Sequence, residues 1–222
     1  MREATDLQYW ETRFIDWWRA HPSDDGSHDL AHFRRVWQTA HQLSQTVTEE
    51  VNALVLLAAA YFHDLVNLPK NHPDRAHAST LAAKKTADIL QQLGFDQALI
   101  PTVQHAIAAH SYSANIQPET IEAKLIQDAD RVEALGAIGL ARVFYISGQI
   151  GSQLFDADDP LAEQRERDDK RFALDHFEEK LLRLPDSMQT EPGRQLAEER
   201  AQVLRDFRRQ LCIELAVIPS HN

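Results

Sequence analysis

The chain has 222 residues, a formal net charge of −11 and one cysteine. Its length fits a single domain, and its ordinary fractions of apolar and charged residues exclude a disordered chain. The acidic charge argues against a nucleic-acid polymer as the main partner, because proteins bind such polymers through broad basic surfaces. The lone Cys212 excludes an internal disulfide and a zinc site built from cysteines.

The sequence predicts a cytoplasmic protein with no membrane partner. It contains no apolar stretch long enough to cross a bilayer, and its first residues lack the apolar core of a signal peptide. A small phosphorylated substrate remains compatible with the acidic charge if a metal ion, or a few Lys and Arg side chains, supply a local positive centre. The sequence does not indicate the oligomeric state.

Apolar residues recur at helical spacing along most of the chain, and no alternating strand pattern of useful length appears. Helices are predicted at about 5–20, 28–45, 49–66, 74–93, 96–110, 121–147, 172–184 and 193–216. The sixth is expected to bend near Asp130. In the first, Trp10, Phe14 and Trp17 form the expected buried stripe. The predicted fold class is therefore all-α.

We expect one domain over residues 1–222, with a core at about 25–150. The helical segment at about 156–217 is expected to extend this core and to cover part of its functional site as a lid. Gly136 and Gly139 are three residues apart in the sixth helix, a spacing that favours close approach of another helix.

The chain is organised around residues 54–77, where an apolar run ends in His63 and Asp64. Adjacent buried imidazole and carboxylate groups need compensation, because an unpaired buried charge is costly, and a divalent cation compensates both. His32 shares the buried stripe of the second helix, and Asp130 lies among apolar residues of the sixth. Two imidazoles and two carboxylates suit one Mn²⁺, Mg²⁺, Fe²⁺, Co²⁺ or Zn²⁺ ion.

These residues resemble the H…HD…D signature of the HD-domain metal-dependent phosphohydrolase superfamily. The strings HDLAHFRRV, YFHDLVNLPKNHP, AIAAHS and QDADRVEALGAIGLAR are similar to those of its small stand-alone bacterial members. The resemblance implies an HD-domain helical bundle with a C-terminal helical extension. It also implies hydrolysis of phosphate esters or nucleotides, with release of pyrophosphate by some members.

The resemblance further implies a set of site residues. The implied metal ligands are His32, His63, Asp64 and Asp130. Asp128 is the rival for the last position, but the Ala129-Asp130-Arg131 context matches the family and favours Asp130.

The predicted function is hydrolysis of a nucleotide, or of a related phosphate ester or anhydride, by a metal-activated water. Asp64 is expected to orient this water, and His110 is a candidate catalytic acid or phosphate ligand. The cations predicted to hold substrate phosphates are Lys70, Arg75 and Arg131. Some related nucleotidases carry an acidic residue shortly after the HD pair, where this chain has Asn67, which cannot act as a base.

Two other functions remain open at this stage. A di-iron HD-type oxygenase would need further histidine ligands, for which His77, His105 and His110 are available. A non-catalytic, metal-stabilised module would bind a nucleotide tightly without turning it over.

Overall fold

The computed structural model describes residues 6–22, 29–66, 68, 72 and 74–217. These residues form nine α-helices and no regular β-strand, which confirms the predicted all-α class. The helices are α1 (Leu7–Ala20), α2 (Leu30–Ser44), α3 (Ala53–Phe62), α4 (Ala78–Gln92), α5 (Ile100–His110), α6 (Ile121–Val132), α7 (Gly136–Ile150), α8 (Asp175–Glu179) and α9 (Glu191–Glu214). Among these helices, none is both long and apolar enough to cross a membrane.

The chain divides into two compact units, Met1–Asp130 and Arg131–Asn222. In the first unit, α3 is the central element: all side chains from Leu54 to Phe62 are buried, and α3 packs against α1, α2 and α5. Its sequence explains this position, because it contains no charged residue and three consecutive alanines allow neighbouring helices to approach closely. The structure therefore places the end of α3 inside the first unit.

Helix α3 is shorter than the predicted 49–66 at both ends. It begins after Asn52, whose side-chain oxygen accepts hydrogen bonds from the N–H groups of Leu54 and Val55. It ends at Phe62, and the ring of His63 then bonds back to the carbonyl of Ala60. His63 and Asp64 therefore lie in the turn that follows α3 rather than within it.

The buried stripe of α1 contains Trp10, Phe14 and Trp18, so the prediction of Trp17 was wrong by one residue. The Trp18 indole N–H donates to the carbonyl of Tyr61 at 2.9 Å, which satisfies its polar atom inside the core. Trp17 instead stacks on His21, with ring centroids 4.4 Å apart. The tryptophan that is buried is thus the one whose indole N–H donates to a carbonyl in the core.

The predicted sixth helix is two helices, α6 and α7, and the interruption follows Val132 rather than a bend at Asp130. Gly136 begins α7 with a φ of 68°, a left-handed conformation that favours glycine. Gly139 lies against the turn before α7: a Cβ atom there would overlap the backbone carbonyl of Ala134. This pair of glycines therefore makes the turn possible, and at Gly139 the close neighbour is this turn rather than another helix.

Replacing Gly139 by alanine is expected to destabilise the protein, because the new methyl group must displace the backbone of Ala134. Overpacking of this kind costs about 1–3 kcal/mol or more. The midpoint of urea unfolding would measure the loss. Gly148→Ala is the matched control in the same helix, since a Cβ at Gly148 meets no atom within 4 Å; equal stability of the two variants would contradict the prediction.

In the second unit, α7 packs against α9 around a core that includes Phe144, Phe177 and Phe207. The predicted helix at 172–184 is only the five-residue α8, followed by two short 3-10 turns, Leu181–Arg183 and Pro185–Ser187. Pro185, which lacks an N–H group, begins the second of these turns. The lid role expected for this region stays a prediction.

The irregular segment before α8 is held by one buried ion pair. The Arg165 guanidinium donates two hydrogen bonds to Asp175, at 2.6 and 2.8 Å, and the Asp168 N–H donates a third at 2.8 Å. Arg165 also lies over the ring of Phe172, 4.4 Å from its centroid. Asp175 therefore holds together a stretch of chain that has little regular structure of its own.

Candidate metal centre

Four side chains from three parts of the first unit converge on one point. They are His32, His63, Asp64 and Asp130, which we call the quartet. His32 lies in the first turn of α2, where its N–H donates to the capping carboxylate of Asp29 at 2.9 Å. The HD pair follows α3, and Asp130 lies in the last turn of α6. The structure thus brings together the four residues that the sequence singled out.

The donor atoms of the quartet all lie within 4.8 Å of one another. His32 Nε2 and His63 Nε2 are 3.2 Å apart. The nearer oxygen of Asp130 is 3.7 Å from each of these nitrogens. The nearer oxygen of Asp64 is 3.4 Å from His63 Nε2 and 4.0 Å from His32 Nε2.

The backbone fixes which nitrogen His63 presents to the quartet. His63 Nδ1 lies 2.9 Å from the carbonyl of Ala60, and since a carbonyl oxygen only accepts, Nδ1 carries the proton. In the neutral ring, Nε2 therefore presents its lone pair to the other donors. This orientation by a backbone carbonyl is the arrangement that metal-ligating histidines commonly use.

The two carboxylates make this point attractive to a cation. Burial alone would lower the pKa of His63, but the negative charges of Asp64 and Asp130 outweigh it and raise the pKa to about 9. Burial alone would raise the pKa of Asp130, but hydrogen bonding to His63 and the charge of its ring hold that pKa well below its usual range. The negative charges of Asp64 and Asp130 would also attract a divalent cation, which would compete with the proton on the His63 ring.

The residues present fit a divalent metal ion. Four electron-pair donors that face one another repel unless a proton or a cation lies among them. Around an ion bound at about 2.1 Å, neighbouring octahedral ligands lie about 3.0 Å apart and opposite ones about 4.2 Å. The five separations given above, from 3.2 to 4.0 Å, fall within this range. Mixed nitrogen and oxygen donors match Mn²⁺, Fe²⁺, Co²⁺ or Zn²⁺ best, while Mg²⁺ prefers oxygen alone.

His110, the last residue of α5, lies beside the quartet. Its Nε2 is 3.4 Å from one oxygen of Asp64, and its ring packs edge-on against that of His63 at 4.9 Å. Its Nδ1 bonds to the carbonyl of Ile107 at 2.6 Å, so Nδ1 is the donor and Nε2 faces Asp64. The two oxygens of Asp64 are thus divided: one faces His63 and the other faces His110.

Comparison with known proteins agrees with this geometry. The sequence model of the HD domain family matches residues 29–135 of this chain. The uncharacterised protein YpgQ of Bacillus subtilis is 33% identical over 215 residues, which cover 95% of this chain and 93% of YpgQ. The chain belongs to the HD domain family.

Solved structures of HD proteins are similar along nearly the whole chain. An HD-superfamily hydrolase from Bacillus thuringiensis is 33% identical with a TM-score of 0.73, covering 96% of this chain and 100% of that one. The structure of Bacillus subtilis YpgQ in complex with ADP is 29% identical with a TM-score of 0.67, covering 99% of this chain and 96% of that one. The assignment to the HD domain family therefore rests on similarity along nearly the whole chain and not on residues 29–135 alone. It agrees with the predicted class of metal-dependent hydrolase.

The other residues predicted for this HD site are placed as follows. Asp128 is fully buried in α6 and does not belong to the quartet, which contains Asp130 instead.

The Arg75 guanidinium donates to the carbonyl of Leu68, and that of Arg131 donates to the carbonyl of Ser187 in the second unit. Lys70 lies outside the described residues, as does Asn67. Phosphate contacts by the three cations stay predictions.

Among the described residues, the quartet is the one group of at least three His, Cys, Asp or Glu side chains placed to hold a metal ion. His105 lies elsewhere: its Nε2 accepts a hydrogen bond from the N–H of Glu119 at 2.9 Å. Over the part of the chain that the structure describes, the quartet is thus the one cluster that could hold an ion.

Sequence reasoning did not single out the side chains that hold the C-terminal end of α5. Gln127 lies three residues before Asp130 in α6, and its amide nitrogen donates to the carbonyl of Ala109 at 2.7 Å. Ser79 in α4 donates to the carbonyl of Ala108 at 3.0 Å. The sequence offered one signal for Gln127: it is a polar residue on the buried face of α6, one helical turn before Asp130.

Proposed function

We propose that this HD protein is a metal-dependent phosphohydrolase that acts on a nucleotide or on a related phosphate ester or anhydride. The observation that carries the proposal is the convergence of two imidazoles and two carboxylates within 4.8 Å. Membership of the HD domain family supports the reaction class. The solved complex of YpgQ with ADP supports a nucleotide as the ligand class for this chain as well.

We assign the quartet as the ligands of one divalent ion. Its nitrogen and oxygen donors favour Mn²⁺, Fe²⁺, Co²⁺ and Zn²⁺, and Mg²⁺ stays a candidate from the sequence analysis. When bound, such an ion supplies a Lewis acid that lowers the pKa of a water molecule and polarises the phosphoryl group. The chain's own contribution is to hold four donors in place before any ligand arrives. This fixed arrangement reduces the reorganisation needed during the reaction.

Asp64 and His110 are assigned the proton chemistry. The Asp64 oxygen that faces His110 is assigned to orient the attacking water and to accept its proton. His110 Nε2 lies 3.4 Å from this oxygen and is the atom assigned to give a proton to the leaving group. Some family members carry an acidic residue after the HD pair, where this chain has Asn67, so both proton transfers are assigned to Asp64 and His110.

The substrate is identified by assaying the purified protein against nucleoside mono-, di- and triphosphates and sugar phosphates, each with Mn²⁺, Co²⁺ and Mg²⁺. We expect hydrolysis of at least one nucleotide that requires added metal and is lost on chelation. Phosphorus NMR of the products distinguishes release of phosphate from release of pyrophosphate, and thereby identifies the bond that is cleaved.

Two results would overturn this proposal. Tight binding of a nucleotide, without turnover under any of the metals, would indicate a non-catalytic binding module. Two equivalents of bound iron with the absorption of a di-iron centre would indicate an oxygenase.

A further inference from the structure

The C-terminal end of α5 is held in an unusual way. The last four carbonyl groups of an α-helix have no partner within the helix. In α5, three of these four accept hydrogen bonds from side chains: Ile107 from His110, Ala108 from Ser79 and Ala109 from Gln127. The donors come from α5 itself, α4 and α6. The helix end that carries His110 is therefore tied to two neighbouring helices.

Gln127 is the most strongly constrained of these donors. Its side chain is 3% exposed, and its amide nitrogen lies 2.7 Å from the carbonyl of Ala109, the residue before His110. Because that carbonyl only accepts, the amide nitrogen must face it. The amide oxygen is buried and has no hydrogen-bond partner within the described part of the chain. A buried acceptor without a partner offsets part of the stability that the donated hydrogen bond contributes.

Gln127 connects the helix that carries Asp130 with the helix that carries His110. Asp130 lies three residues further along α6, on the same face of the helix. One rigid helix thus carries a member of the quartet and the donor that fixes the end of α5. His110, at that end, presents its Nε2 to Asp64 at 3.4 Å. A shift of α5 relative to α6 would move His110 relative to Asp130, and also relative to Asp64, which lies beside Asp130 in the quartet.

We infer that Gln127 and Ser79 are positioning residues, which fix His110 against Asp64 by clamping the end of α5. This inference rests on the proposed function, in which His110 gives a proton to the leaving group. Neither Gln127 nor Ser79 belongs to the quartet. Loss of the clamp should therefore reduce turnover while metal binding is retained.

Gln127→Met is the principal test. Methionine is similar in size and apolar, and it removes the donor together with the unpartnered oxygen, so the fold should be kept. We expect kcat to fall about tenfold to a hundredfold, as for a small misplacement of a catalytic group, while KM and the bound metal change little. Ser79→Ala should act in the same direction. Thr86→Val is the matched control: it removes a buried hydroxyl that donates to the carbonyl of Ala82, away from this helix end.

A double-mutant cycle separates positioning from a general structural effect. If Gln127 acts through His110, Gln127→Met should cause no further loss of kcat in a His110→Ala background. A loss of the same size in both backgrounds would overturn the inference. So would an unchanged kcat in both Gln127→Met and Ser79→Ala.

A second measurement does not depend on activity. The imidazole nitrogen resonances of His110, assigned by their absence in His110→Ala, should shift in Gln127→Met and in Ser79→Ala but not in Thr86→Val. Unchanged resonances in the first two variants would overturn the inference whatever the kinetics show. If the wild type hydrolyses no phosphorylated compound, the proposed function fails, and the resonances alone decide whether the clamp positions His110.

Discussion

Replacing Asp64 by alanine is expected to abolish metal binding and hydrolysis while leaving the helical content intact. One oxygen of Asp64 lies 3.4 Å from His63 Nε2 and the other lies 3.4 Å from His110 Nε2, so the substitution removes a metal ligand and the acceptor that orients the water together. Turnover should fall by about a thousandfold or more. Steady-state kinetics with the best substrate, together with metal analysis of the dialysed protein, measure both effects.

The fold should survive this substitution because Asp64 lies in a turn after α3 and contributes no part of the helical core. Its side chain is 19% exposed, so alanine leaves no large cavity. Circular dichroism checks the helical content. Asp88→Ala, on the exposed face of α4, is the control for removal of a negative charge, and it should keep full activity. An Asp64→Ala protein with wild-type turnover would show that the catalytic assignment is wrong.

Replacing Asp175 by alanine is expected to cost the most stability of any single change considered for the second unit. The Asp175 carboxylate is 1% exposed and accepts three hydrogen bonds, two of them from Arg165. Its removal leaves the guanidinium, 21% exposed, without its principal counter-charge. Removing one partner of a buried ion pair costs about 3–5 kcal/mol. The free energy of unfolding in urea measures the loss.

An exposed ion pair provides the control for this prediction. Glu191 and Arg194 also form a close pair, at 2.7 Å, but their side chains are about half exposed. Because solvent screens such a pair, Glu191→Ala should lower the free energy of unfolding far less than Asp175→Ala. Equal losses in the two variants would mean that burial does not determine the contribution of Asp175.

The fold class was predictable from the sequence because helical periodicity depends on local spacing alone. His32 was expected on the buried face of the second helix, and the structure buries it there. The ends of helices were less predictable, because they depend on tertiary contacts that spacing does not encode. The end of α3, for instance, coincides with a bond between the ring of His63 and the carbonyl of Ala60. Likewise, the burial of Trp18 rather than Trp17 coincides with a hydrogen bond from its N–H to a carbonyl of α3.

The quartet was predictable only in part from physical chemistry. Burial of an adjacent histidine and aspartate indicated a cation, but the choice of Asp130 over Asp128 came from the family context. In the structure Asp130, and not Asp128, lies with the other three donors, while its role as a ligand stays a prediction. The contact between His110 and Asp64 was not predictable, because it depends on how the end of α5 is held by α4 and α6.

Counting bound ions tests most directly whether the quartet binds one cation. Calorimetric titration of the chelator-treated protein with Mn²⁺ should give one ion per chain for the wild type and for Asp128→Asn. Asp130→Asn should weaken binding about a hundredfold or more, since even the loss of groups that only support metal ligands costs ten- to a hundredfold. A wild-type protein that binds no divalent ion, or an Asp130→Asn protein that binds as tightly as the wild type, would contradict the metal centre.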